Sequence, residues 1–388
     1  MQQPKQQDHT ISFIGGLSFL ASFVFTSLLS PSAEAFPELT RHGYVSCTAC
    51  HVSPNGGGAM TPYGRGLSRE LLSTWGGARE AEVGHGILPK EWSDALENSK
   101  LRLGGDVRWV QTHRENAAVR SGQFFTMQAQ AEFAWDEGAW AVAAAIGKLE
   151  DPRGKKEFRL VSPKYYGLVR FAEAGALRAG RFAPAYGLHL ADHTLSVRRA
   201  LGLGPDVERD NLEFSWIGEQ NQFFATITQS AESTASTDKE RASIVRYERI
   251  INSNSRVGAS FWQGSGGDHD AAAGFDRWMF GVHGIANLSK EWFLSAEIDR
   301  SERTGTSLVQ SQYGYLRLNY EPVQGVWPLL QYQHERGDVS LNSSESNKYG
   351  IGVNFFPRPH FEFFGIWNRV SRGSDWSDEA YLLLHYYL

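Results

Sequence analysis

The fold class is decided by a stretch with period two, Phe125-Thr126-Met127-Gln128-Ala129-Gln130-Ala131-Glu132-Phe133-Ala134-Trp135. Its odd-numbered positions are apolar, and its even-numbered positions are mostly polar. The same alternation recurs in residues 292–299 and 316–321. Successive side chains of a strand point to opposite faces, so this pattern predicts strands with one apolar and one polar face.

From Lys100 onward, about sixteen such strands can be laid end to end. The connections between them are interpreted as alternating strictly between short turns and longer polar loops. The short turns are expected at 136–138, 174–175, 218–221, 252–255, 288–291, 322–325 and 357–360, and examples of the long loops are 230–241, 264–276 and 336–347. This asymmetry and an even strand number are typical of outer-membrane barrels. The sequence therefore predicts an all-β fold, an antiparallel outer-membrane β-barrel of about sixteen strands over residues 99–388; a soluble all-β domain is the alternative.

Tryptophan is the second sign of a barrel. Aromatic residues recur near strand ends, where the interfacial girdles of a barrel lie. The tryptophans assigned to these girdles are Trp109, Trp135, Trp140, Trp216, Trp262, Trp278, Trp292, Trp327 and Trp367. The chain also stops within its last strand, with Leu382, Leu384, Tyr386 and Leu388 on one face.

The third outer connection, residues 184–210, is the longest. In sixteen-stranded porins a loop at this place folds inward, and many charges here would then enter the lumen; a solvated external loop is the alternative. His189 and His193 are four residues apart, so one helical turn would place them on one side as a candidate metal-contacting pair.

The first 35 residues indicate export. Lys5 precedes a mostly apolar run from residue 11 to 29, and Ala33-Glu34-Ala35 is a small-residue cleavage pattern. A signal peptide over 1–35 is expected, with an uncleaved membrane anchor as the alternative. No later apolar stretch reaches about 18 residues, so the mature chain has no transmembrane helix. The formal net charge of −5 suggests no nucleic-acid partner.

Both cysteines of the chain lie in Cys47-Thr48-Ala49-Cys50-His51. In the pattern C-x-x-C-H the two thiols form thioethers to the vinyl groups of a haem, and the histidine is the proximal iron ligand. A zinc site normally needs four ligands, a thioredoxin-like pair needs a βαβ context, and a plain disulfide stays open. Residues 36–98, glycine-rich and irregular with one short helix, are therefore expected to form a small c-type haem domain with one covalent haem c.

The second axial ligand of the iron is less clearly marked. Met60 follows His51 by nine residues across a glycine loop, and a methionine ligand raises the reduction potential relative to histidine. Met60 is the preferred candidate for the distal ligand. His42 and His85 are the alternatives, and an open site is possible.

The order of these parts resembles the fused monohaem cytochrome c-porins, outer-membrane proteins implicated in extracellular iron oxidation. The resemblance covers the architecture of the mature chain, but only Cys47, Cys50 and His51 carry over as residues. It implies an electron-transfer protein, with Fe(II) oxidation as its candidate activity, that contacts outer-membrane lipid and a periplasmic c-type cytochrome or other redox carrier.

Electron transfer across the outer membrane, between an extracellular donor such as Fe(II) and the periplasmic cytochrome, is the functional hypothesis. The apolar band of a barrel is about 25 Å tall, and a haem in the lumen would divide that distance. Outward electron transfer to an external acceptor is one alternative. The other is a diffusion porin with an appended periplasmic haem domain. No nucleophile elbow or triad supports hydrolysis.

Overall fold

The computed structural model describes residues 37–149, 162, 164–190, 192, 195–203, 208–230, 239–267 and 274–388. The expected signal peptide, residues 1–35, lies outside the described residues. Sixteen strands form one sheet: β1 (Leu101–Glu115), β2 (Arg120–Asp136), β3 (Trp140–Leu149), β4 (Tyr165–Phe171), β5 (Gly175–Phe182), β6 (Arg209–Ile217), β7 (Asn221–Ser230), β8 (Lys239–Asn252), β9 (Ser255–Gly267), β10 (Gly274–Asn287), β11 (Trp292–Thr304), β12 (Leu308–Tyr320), β13 (Val326–Arg336), β14 (Glu345–Phe355), β15 (Phe361–Arg372) and β16 (Asp375–Tyr387).

Each strand pairs antiparallel with its neighbours in sequence, and β1 pairs with β16 from Asp106↔Tyr387 to Glu115↔Asp378. The sheet is therefore a closed barrel without an edge, which confirms the predicted all-β fold and its sixteen strands.

The polarity of the two strand faces is the reverse of that in a soluble β-protein: the outer face is apolar and the inner face is polar. On β8, Val245 and Tyr247 are exposed on the outer face, whereas Arg246 and Glu248 are buried on the inner face. The same holds on β11, where Ile298 is exposed and Glu297 is buried. An apolar outer band around a polar interior fits a barrel surrounded by lipid.

The strict alternation of short and long connections is wrong. The connections 116–119, 305–307 and 373–374 lie on the long-loop side of the barrel but have only two to four residues. The strands they join, such as β1 with β2 and β11 with β12, are long and stay paired up to the turn. Continued strand pairing there leaves few residues for a loop.

Two girdle assignments are also wrong. Trp135, Trp216 and Trp367 are exposed on the outer face, as expected, but Trp262 and Trp327 are fully buried. They occupy inward positions of β9 and β13, and because side chains alternate along a strand, such residues point into the lumen.

The lumen is filled from two sources. The first is residues 37–72 of the N-terminal segment, which spans residues 37–98. The whole segment contains α1 (Pro37–Arg41), α2 (Pro62–Leu67), α3 (Lys90–Glu97), a π-helical turn at Ser68–Leu72 and 3-10 turns at Cys47–Ala49 and Ala78–Ala81. The second is the lumen loop, which is the described part of residues 183–208 and contains α4 (Ser196–Arg199). One further 3-10 turn, Asn342–Ser344, lies between β13 and β14. No helix in the described ranges is long and apolar enough to cross a membrane.

Inward side chains from strands all around the barrel contact the N-terminal segment. Arg178 donates to Ser53, Gln222 and Arg256 donate to the Val45 carbonyl, Asn354 donates to Glu38, and Tyr387 bonds Ser68. These residues belong to β5, β7, β9, β14 and β16. The part of the segment from Glu38 to Ser68, which is held from so many directions, therefore lies inside the barrel.

The lumen loop folds inward, which is one of the two interpretations that its sequence left open. Its backbone is held by the opposite wall, because Gly187 N–H donates to Ser260 Oγ at 2.9 Å and Leu188 N–H donates to Glu297 Oε2 at 2.8 Å. An apolar core forms between this loop, the N-terminal segment and the wall, and it includes Leu39, Leu72, Tyr186, Leu188, Leu195, Trp262, Phe293, Trp327 and Phe356.

Candidate haem-attachment site in the lumen

The C-x-x-C-H motif forms a tight turn in the lumen. Cys47 begins a 3-10 turn, and His51 N–H donates to the Cys47 carbonyl at 3.0 Å. Both cysteine thiols are buried. Thr61 joins the motif to α2, because its Oγ1 donates to the Ala49 carbonyl at 2.6 Å and accepts from Gly64 N–H at 3.1 Å. Local hydrogen bonding thus brings the two thiols and the imidazole into one compact unit.

His51 has the protonation and anchoring of a metal ligand. Burial lowers the pKa of His51 to about 4, so the ring is neutral at physiological pH. Its Nδ1 lies 3.3 Å from the Gly58 carbonyl and donates to it, which fixes the ring and leaves Nε2 for ligation. The donor chemistry of Cys47, Cys50 and His51 therefore fits a covalent haem with a proximal histidine.

Two glycines allow the close approach of neighbouring backbone to the motif. A Cβ on Gly64 would lie 2.6 Å from the Cys50 carbonyl oxygen and 2.8 Å from Cys50 Cα. Gly56 has a φ of +82°, and its Cβ would lie 3.1 Å from Cys47 Sγ. Both cysteines are thus packed against positions that have no room for a larger residue.

Met60 lies beside His51. Val52 N–H donates to the Ala59 carbonyl and Thr61 N–H donates to the Cys50 carbonyl, so His51 and Met60 form a non-hydrogen-bonded antiparallel pair. Cα atoms of such a pair are about 4.5 Å apart, and both side chains lie on one face. Two axial ligands reach an iron from opposite faces of the porphyrin, so Met60 can serve as the distal ligand only if this hairpin opens. The distal-ligand assignment stays a prediction.

The two histidine alternatives lie elsewhere. His42 packs against Trp327 with ring centroids 6.3 Å apart and has Nε2 3.4 Å from Glu321, and burial lowers its pKa to about 4. His85 packs against His360 and Phe361, with ring centroids 5.6 Å and 5.4 Å away. Neither side chain lines the cavity that borders His51.

That cavity is small, with only about 10 Å³ open to the centre of a water-sized sphere. Its lining combines the motif with one residue of the barrel wall: Leu39, Cys50, His51, Met60, Gly64, Ser68, Leu72 and Tyr387. Pockets for organic ligands typically enclose about 300–1,000 Å³. A porphyrin here thus requires the lining to widen, and the wall residue Tyr387 makes the barrel part of the site.

A buried clamp from the barrel wall holds the turn after the motif. Arg178 donates to Ser53 Oγ at 2.8 Å, to Asn55 Oδ1 at 3.0 Å and to Glu213 Oε1 at 2.7 Å. Asn55 in turn donates to the Ala183 carbonyl at 3.0 Å. All four side chains of this clamp, Arg178, Glu213, Ser53 and Asn55, are almost fully buried. Sequence reasoning missed it, because more than 120 residues separate Arg178 from Ser53 and no local pattern marks the pair.

The candidate histidine pair of the third outer loop cannot be judged as a pair, because His193 lies outside the described residues. His189 is partly buried in the lumen loop, and desolvation together with Arg198 lowers its pKa well below the ordinary value. In the described part of the chain, no group of three or more His, Cys, Asp or Glu side chains is arranged to hold a metal ion.

Comparisons with known proteins concern the barrel. No protein-family model matches the chain, and no curated protein matches it. Among solved structures, OprB of Pseudomonas putida has a TM-score of 0.59 at 10% identity, covering 82% of this chain and 99% of its own. An anion-selective porin from Comamonas acidovorans has a TM-score of 0.57 at 10% identity, with coverages of 74% and 99%.

The outer-membrane channel DcaP of Acinetobacter baumannii is similar too, with a TM-score of 0.55 at 12% identity, covering 74% of this chain and 97% of its own. Two of the three descriptions name a porin and a channel, and none of the three names a cytochrome. Identities this low carry the fold and no more. The barrel of this chain therefore has the fold of the outer-membrane porins.

Proposed function

We propose that this protein transfers electrons across the outer membrane through one haem c attached to Cys47 and Cys50, with His51 as iron ligand. The electrons pass between an extracellular donor, such as Fe(II), and a periplasmic c-type cytochrome. One observation carries the proposal: the C-x-x-C-H motif lies inside a closed barrel with an apolar outer band. A bound haem would supply a one-electron carrier within the insulating layer.

The residues of this chain hold and orient the site. The Gly58 carbonyl fixes His51 in the tautomer that leaves Nε2 for iron, and Arg178 fixes the following turn to the wall. Both thiols are buried, which keeps bulk water away from the attachment points. Fixed ligands and low hydration reduce the reorganisation that accompanies each change of charge, which favours electron transfer.

The test uses the purified full chain in lipid vesicles that enclose oxidised cytochrome c. Addition of Fe(II) outside should reduce the enclosed cytochrome, and the variant Cys47→Ser/Cys50→Ser should abolish this reduction. Gly66→Ala is a matched control, because a Cβ at Gly66 meets no atom within 4 Å. Reversing the donor and acceptor sides tests outward flow. If protein from a host with c-type cytochrome maturation carries no covalent haem, the proposal fails.

A diffusion channel is the second candidate. It is favoured by the similarity to porins, one of them described as anion-selective. The apolar core around Trp262 and Trp327 occupies part of the lumen, so a diffusion path through the barrel would be narrow. Single-channel conductance in planar bilayers distinguishes the two functions. Electron transfer through a filled lumen predicts a conductance far below that of an open porin, whereas a conductance in the porin range with anion selectivity would support diffusion.

A further inference from the structure

Part of the N-terminal segment leaves the lumen at the short-turn end of the barrel. We name residues 73–88 the rim strap. Thr74 N–H donates to the Phe356 carbonyl and Trp75 N–H donates to the Pro357 carbonyl, both at 2.9 Å. Gln324, in the turn between β12 and β13, donates to the Ser73 carbonyl at 2.8 Å. The strap thus crosses the barrel rim over the turn that joins β14 and β15.

Beyond the rim, the strap packs on the outer face of the barrel. Phe355 shares its face of β14 with Val353 and Ile351, which are exposed, and Trp75 meets Phe355 edge to face at a centroid distance of 5.9 Å. His85 lies 5.4 Å from Phe361 and 6.1 Å from Tyr386. Phe361 shares the outer face of β15 with exposed Phe363, and Tyr386 shares the outer face of β16 with exposed Leu382. The strap is therefore continuous with the lipid-facing band.

The strap exposes large apolar side chains at the level of the barrel rim. Trp75 is 61% exposed and Ile87 is 85% exposed. Gly84, His85 and Gly86 have φ values of +77°, +53° and +73°, and Ile87 N–H donates to the Gly84 carbonyl at 2.9 Å. This tight turn places Ile87 at a tip.

Charge distinguishes the possible modes of membrane attachment. The strap contains one basic side chain, Arg79, and two acidic ones, Glu80 and Glu82. The adjoining α3 adds one basic side chain, Lys90, and three acidic ones, Glu91, Asp94 and Glu97. An acidic segment gains nothing from anionic headgroups, so attraction to lipid has to come from its apolar residues.

We propose that the rim strap is a membrane-interface anchor, with Trp75 and Ile87 inserted at the boundary between headgroups and acyl chains of the periplasmic leaflet. Tryptophan beside aliphatic residues is typical of that depth. The anchor would fix the N-terminal segment at the rim, and it does not depend on whether a haem is bound.

The test measures the depth of a nitroxide label in phospholipid nanodiscs. The chain has only two cysteines, both buried, so Ile87→Cys offers a specific labelling position. Asp94→Cys, on the exposed side of α3, is the water-phase control, and Ile351→Cys, on the outer face of β14, is the lipid reference. Collision rates with oxygen and with a water-soluble nickel chelate are measured by electron paramagnetic resonance.

We expect the label at position 87 to collide with oxygen more often than with the nickel chelate, as at position 351. Equal accessibility to the chelate at positions 87 and 94 would overturn the proposal. Immobilisation of the label at position 87 only after a periplasmic redox protein is added would also overturn it, because the strap would then be a protein-docking surface.

Discussion

Arg178 of β5 donates a 2.8 Å hydrogen bond to Ser53, two residues after His51, inside the barrel. The same guanidinium pairs with Glu213 at 2.7 Å and lies 3.6 Å from the centroid of the Phe182 ring. The wall of the barrel therefore reaches the motif directly. The position of the motif is fixed by a strand that begins 122 residues after Ser53.

Arg178→Ala should destabilise the protein strongly. The substitution leaves Glu213 buried without its cation and removes two hydrogen bonds to the turn, and breaking a buried pair in this way costs about 3–5 kcal/mol. Arg181→Ala is the matched control on the same strand, because its partner Asp210 is partly exposed and such pairs contribute about 1 kcal/mol or less. Unfolding by denaturant in detergent micelles measures both, and equal losses would contradict the clamp.

Gly64→Ala should disturb the motif. The added Cβ would meet the Cys50 backbone at 2.6 Å, so the turn or α2 has to shift, and overpacking of this kind costs about 1–3 kcal/mol. We expect lower thermal stability and fewer haem groups per polypeptide by pyridine haemochrome. Gly66→Ala, two residues away in the same helix, should behave as the wild type. Normal haem content in both variants would show that the motif tolerates movement of α2.

Met60→Leu tests the distal ligand. Because Met60 lies on the same hairpin face as His51, we expect the absorption band of a methionine-ligated ferric haem to be missing already in the wild-type protein. The substitution should then leave the spectrum unchanged, as should the control Met127→Leu in β2. Loss of such a band in Met60→Leu alone would show that the hairpin opens and that the methionine ligates iron.

His360 should make stability depend on pH. Burial lowers the pKa of His360 to about 4, from about 6.5 in the unfolded chain. The folded state thus favours the neutral ring, and its stability falls as pH drops from 6.5 to about 4, by at most about 3 kcal/mol. His360→Asn removes this group and suits the φ of +68° at this position, since asparagine tolerates left-handed backbone.

Denaturant unfolding at pH 7 and at pH 4 measures that difference. The wild type should lose more stability than His360→Asn over this interval. Parallel losses in the two proteins would mean that the pKa of His360 is the same in the folded and unfolded states.

Much of the barrel could be predicted from the sequence. Alternation such as that of residues 125–135 depends only on strand geometry and on which face meets lipid, so it is visible locally. The assignment of Trp262 and Trp327 to the girdles is wrong, because the local sequence around a tryptophan near a strand end does not show whether its side chain faces lipid or the lumen. Their direction follows from the register of β9 and β13 with their neighbours.

The candidate site also has a part that could be predicted from the sequence and a part that could not. The spacing of Cys47, Cys50 and His51 marks a haem motif in the sequence alone, and its occupancy stays a prediction. The sequence did not predict that Gly58 anchors His51, that Met60 pairs with His51, or that Arg178 binds the turn after the motif. Each depends on loop closure or on contacts between distant segments, which leave no local signal.

The amino-acid sequence by itself determined the strands, the apolar outer band and the chemistry of the motif, because each depends on residues that are close together in the sequence. Only the tertiary structure decided that the motif lies inside the barrel and that the lumen is filled. Closure of β1 on β16 creates the enclosed space, and the contacts within it join residues more than 100 positions apart.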